Sequence, residues 1–109
     1  MSNFDDLIYS YVASDLDAST VKAWFNANTP SGDSLNALAE LIGAGFLAGK
    51  ITFVAANGLL NLLMPLAGFE ATPTRFWEYY VAFENFETSN SPDADARPAI
   101  AAMAGRGAA

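Results

Sequence analysis

The stretch Ile51-Thr52-Phe53-Val54-Ala55-Ala56-Asn57-Gly58-Leu59-Leu60-Asn61-Leu62-Leu63-Met64-Pro65-Leu66-Ala67-Gly68-Phe69 decides the fold, because it sets 19 uncharged residues between Lys50 and Glu70. Two environments accept such a run: a bilayer, whose core asks for about 20 apolar residues, or the interior of a helical protein body. Asn57 and Asn61 lie four apart, so a helix puts them on one side. Phe53, Ala56, Leu59, Leu60, Leu62, Leu63 and Met64 cover the rest of the wheel. Pro65 and Gly68 interrupt the run near its end, and no Lys/Arg cluster flanks it as membrane orientation requires. The pattern is that of a central bundle helix nearly encircled by neighbours. Membrane association through residues 51–69 is the runner-up. The two amides are expected to meet solvent or neighbouring backbone; the sharper alternative is a polar element that fixes register against a partner.

Thr52 stands where an N-cap belongs, and Ile51 is placed to pack back on Ala56. A fourth helix therefore starts at Thr52, with Pro65 limiting its regular run. Before it, Leu35, Leu38, Ile42 and Phe46 share one face of a third helix, which Asp33 is expected to cap and Gly49 to end. Gly43 and Gly45 lie inside that helix, each costing about 1 kcal/mol relative to Ala, which implies a closely approaching neighbour. Asp17 reads as the cap of a second helix, with Leu16 and Val21 spaced as a hydrophobic staple and Val21, Trp24 and Phe25 on one face. Asn28-Thr29-Pro30-Ser31-Gly32-Asp33 ends it. Phe4, Leu7, Ile8, Tyr11 and Val12 make one apolar stripe on a first helix, with Ser2 and Asp5 approximating a capping box.

Past the deciding stretch, Thr72-Pro73 reads as N-cap and first residue of a fifth helix reaching about Thr88. Phe76, Tyr79, Tyr80, Phe83 and Phe86 form its expected core stripe. Trp77 and Val81 lie outside that stripe and widen the apolar arc to roughly 220°. Either the following segment packs over Trp77 or a partner protein does. Trp and Tyr are favoured interface anchors, and nearby acids suit a partner's basic rim. Trp77, Tyr80, Val81, Glu78 and Glu84 are the candidate interface. Residues 89–109 are dominated by small residues, with Ile100 and Met103 the only sizeable apolar side chains.

The expected fold is all-α: a compact bundle of about five helices, largely antiparallel neighbours, over residues 1–88. A flexible or weakly helical Ala/Gly/Pro-rich C-terminal tail over 89–109 follows. No stretch alternates as a strand would, and no internal repeat is present.

The composition fits one domain: of 109 residues, 52% are hydrophobic and 16% charged, ample for a core without disulfides. Five Lys and Arg face 12 Asp and Glu, a net charge of −7 that repels a phosphate backbone and argues against nucleic acid. Ten of those acids fall in residues 1–88, against Lys22, Lys50 and Arg75, so attraction to a basic partner belongs to that part.

There is no cysteine and no histidine. That removes disulfides, thiolate nucleophiles, the usual zinc ligands and the commonest general base near neutral pH. Glu70, Glu78, Glu84 and Glu87 remain as carboxylates that burial could tune for acid/base work, yet Glu on an amphipathic helix is ordinarily a solvated flank. No catalytic residue, cofactor or metal site is expected. The acidic start Met1-Ser2-Asn3-Phe4-Asp5-Asp6 is unlike a secretory signal, so a cytoplasmic location is the expectation. The function expected is non-catalytic contact with a protein, either another copy of the chain or a basic protein, as an oligomer, an inhibitor of immunity-protein type or an adaptor. Binding of a small apolar ligand between helices is a further alternative.

Overall fold

A computed structural model describes residues 3–68 and 74–108, with side chains for 4–68 and 74–105. Six helices and no strand are present among them: α1 (Asn3–Ala13), α2 (Ala18–Asn28), α3 (Gly32–Leu47), α4 (Phe53–Ala67), α5 (Thr74–Glu84) and α6 (Pro92–Ala108). The expected Ser2 and Thr72-Pro73 capping positions lie outside the described residues.

Local chemistry sets most of the described boundaries. Asp17 accepts a hydrogen bond from Ser19 N–H and opens α2, and Thr52 accepts from Ala55 N–H at 3.1 Å and opens α4. The cap of α3 is Ser31, not Asp33: Ser31 has extended backbone and its hydroxyl accepts from Ser34 N–H, three residues on. Asp33 sits instead in the first turn, where its charge complements the helix dipole. Gly49 at φ 76° ends α3 in a Schellman arrangement, with Lys50 N–H donating to Gly45 C=O and Gly49 N–H to Phe46 C=O. Pro65 is accommodated inside α4, which runs two residues beyond it and closes with Gly68 N–H on Met64 C=O. Helix α5 stops at Glu84, short of the expected Thr88, because its hydrogen bonding tightens to three-residue spacing from Phe86 onward. Between α1 and α2 the chain reverses through Asp15 and Leu16, both at positive φ near 60°, a conformation unfavourable for side-chain-bearing residues. Leu16 packs on the core and its N–H donates to Tyr11 C=O at 2.9 Å, which holds the turn.

Within the uncharged stretch, Phe53–Ala67 form the most heavily buried helix: Leu59, Leu60, Leu63 and Met64 are inaccessible, and no helix of the described residues is long and apolar enough to cross a membrane. It is not fully encircled, since Val54 is exposed, and α3 packs on α1, α4, α5 and α6. Phe46 of α3, Phe53 of α4 and Phe83 of α5 meet at its centre with ring centroids 5.3–6.2 Å apart. The close approach expected at Gly43 is real: a Cβ there would lie 2.5 Å from Tyr79 Cε1. Gly58 serves Tyr11 likewise, a Cβ falling 2.6 Å from its hydroxyl oxygen.

Residues 92–108 depart furthest from expectation. Read as a flexible or weakly helical tail, they form α6, which buries Ala96, Ile100 and Met103 against α3 and α5. These three positions are spaced four and three apart, a narrow stripe that composition alone conceals among alanines.

Candidate protein-interaction site

Helix α5 presents two sides of different character. Its inner side carries Phe76, Tyr79 and Phe83, all buried. Phe76 N–H, an orphan donor of the first turn, donates to Asn36 Oδ1 of α3 at 2.9 Å. Arg75 is the hub of a polar cluster joining three helices: its guanidinium donates to Glu40 of α3, to Met103 C=O of α6 and to Glu78 at 3.0 Å. The Tyr79 hydroxyl donates to the second Glu40 oxygen at 2.8 Å, beneath the Arg75 guanidinium, which lies 4.8 Å from the ring centroid. Burial and the Glu40 carboxylate push the Tyr79 phenol up to about 12, and the hydrogen bond to Glu40 holds the Arg75 guanidinium above its ordinary range. Every member is satisfied from within the chain, so the cluster fixes α3, α5 and α6 in register.

The outer side carries the candidate interface. Trp77 is 44% exposed and stacks on Tyr80, with centroids 5.6 Å apart and planes at 28°. Tyr80 and Val81 are half-buried, Tyr80 against the core. Glu84 follows Tyr80 by one turn, with Glu87 and Asn61 of α4 beside it. Desolvation, then the Glu87 carboxylate, raises the Glu84 pKa, with Asn61 acting in the opposite sense. Desolvation, then Glu84 and Glu87, raises the Tyr80 phenol. Of the five residues expected to form the interface, Trp77, Tyr80 and Glu84 come together on one side, as positions three and four apart on a helix should. Glu78 is drawn away into the ion pair with Arg75. Glu87, which sequence reading treated only as one of the carboxylates, takes the place expected of Glu78.

The two amides of α4 part company. Asn61 is partly exposed beside Glu84, as the solvent reading allows, while Asn57 is buried and its Oδ1 has no hydrogen-bond partner among the described residues. Sequence reading missed Arg75 and Arg97 as cross-helix ties. Arg97 Nη1 donates to Leu47 C=O at 3.2 Å, pairs with Asp93 at 2.9 Å and covers the Phe46 ring at 4.9 Å. The signal was present in composition: a chain with five cations and a large acidic excess can place each beside a carboxylate, and Asp93 stands four residues before Arg97.

No protein-family model matches the chain, and no curated protein or solved structure matches it either.

Proposed function

We propose that this chain is a non-catalytic cytoplasmic protein that acts through protein contact, as an inhibitor of immunity-protein type or an adaptor, and that it receives a basic partner on the outer side of α5. The observation that carries this reading is the solvent-facing Trp77 stacked on Tyr80 beside the Glu84–Glu87 pair. A stacked, rigid aromatic pair offers large contact area at small entropic cost. Two carboxylates that repel one another next to it gain from a Lys or Arg brought between them. The net charge of −7 adds long-range attraction for such a partner and speeds encounter.

The test is comparative capture from the native host. The wild-type chain should retain a basic protein that Trp77→Ala does not, while the circular dichroism of the variant stays helical. Equal recovery of the same partner by a folded Trp77→Ala chain would overturn the reading.

A further inference from the structure

Away from α5, three of the large apolar side chains that face solvent gather on a second surface: Tyr9 at 74%, Val12 at 46% and Leu41 at 37% exposure. They border two adjoining recesses of about 260 and 220 Å³ beside α1 and the C-terminal half of α3. Asp5, Ile8, Lys50 and Ile51 line both, so the two form one groove. Contiguous apolar exposure rimmed by charge is the mark of a contact surface, unlike scattered apolar residues.

Gly45 lines this groove. A methyl group there would come no nearer than 3.6 Å to Ile51, an ordinary contact, whereas the same change at Gly43 collides with Tyr79. Among the described residues nothing therefore requires glycine at 45, in the last turn of α3. A helix approaching from outside does gain from the low profile of Gly45, Ala44 and Ala48.

The charges select the occupant. Asp5 and Lys50 carry opposite signs in the same groove. A uniformly basic partner would meet Lys50 and a uniformly acidic one Asp5. A second copy related by a two-fold axis avoids both conflicts, since an isologous contact brings each Asp5 to the other copy's Lys50 while Tyr9, Val12 and Leu41 meet their counterparts. Lys50 is available for this: Arg75 and Arg97 are spent on internal ion pairs, and no ion pair engages Lys50 among the described residues. The geometry points to the α1/α3 groove as a two-fold interface between copies of this chain, separate from the basic-partner surface on α5.

Sedimentation equilibrium of the full chain over a concentration series tests it. The wild type should dimerise, and Lys50→Glu and Asp5→Lys should each weaken dimerisation by about tenfold or more, because each turns two attractions into two repulsions. Mixed in equal amounts, the two variants should form a heterodimer with close to wild-type affinity. Should Asp5→Lys disturb the first turn of α1 in circular dichroism, Leu41→Arg with Lys50→Glu supplies the folded pair of weakened variants. Trp77→Ala should leave the dimer unchanged, which separates this surface from that on α5. A wild type that stays monomeric throughout, a dimer indifferent to Lys50→Glu and Leu41→Arg, or a dimer lost in Trp77→Ala would overturn the assignment.

Discussion

The inner and outer sides of α5 share a helix, a high aromatic content and several charged groups, yet they dispose of their polar atoms in opposite ways. On the inner side, Arg75, Tyr79 and Glu40 saturate one another, and Met103 C=O takes a remaining guanidinium donor. On the outer side, desolvation and the neighbouring Glu87 raise the cost of ionising Glu84 beside a stacked Trp–Tyr pair that water still reaches. A side chain whose partners are all internal holds the fold, and one whose charge is left in conflict has something to gain from another molecule. The contrast is therefore a division of labour, not of composition.

It can be broken most forcefully at Tyr79. Tyr79→Ala empties a fully buried site and leaves Glu40 without its hydroxyl donor, so a loss of about 3–5 kcal/mol is expected in urea unfolding. A loss under about 1 kcal/mol would show the inner side to be dispensable. Alkaline titration gives a smaller effect of definite sign. With the folded phenol near 12 and the unfolded one near 10, the unfolded chain releases its proton first, so stability is intact below pH 10 and declines as pH rises towards 12. Tyr79→Phe should flatten that decline in thermal melts followed across the range, and an unchanged slope would contradict the assignment. The outer side should respond least. Glu84 binds its proton more tightly folded than unfolded, so its contribution to stability falls as pH rises through the carboxylate range. Glu84→Gln should remove that dependence at a cost to stability within about 0.5 kcal/mol, while weakening a basic partner. A large destabilisation would move Glu84 to the structural side of the comparison.

Elements whose cause is local were legible in the sequence: the Thr52 and Asp17 caps, the Gly49 stop, and the burial of Leu59, Leu60 and Leu63. Partnerships between residues far apart were not. Nothing around Asn36 announces that it satisfies an N–H at Phe76, and nothing near Arg75 announces Met103. Helix α6 was hidden for a different reason: Ala96, Ile100 and Met103 bury little area each, so their stripe falls below the contrast that periodicity needs, although α3 and α5 supply the complementary surface. At the candidate site, the exposure of Trp77 followed from the breadth of the apolar arc. The diversion of Glu78 to Arg75 was open to the spacing rule, since the two stand three apart on one helix, but it was not drawn. The exposure of Val12, placed on the α1 core stripe by spacing, depended on how little of α1 the neighbouring helices cover.

The bond from Arg97 to Leu47 C=O spans 50 residues, and it has a consequence for how the chain is made. During synthesis α3 is made before α6. Until α6 arrives, its terminal carbonyl lacks that guanidinium, the Phe46 ring is uncovered on one side, and the strip destined for Ala96, Ile100 and Met103 is wet. Helix α3 must thus wait for α6, so the nascent chain passes through a stage in which α3 exists with part of its apolar cover still missing.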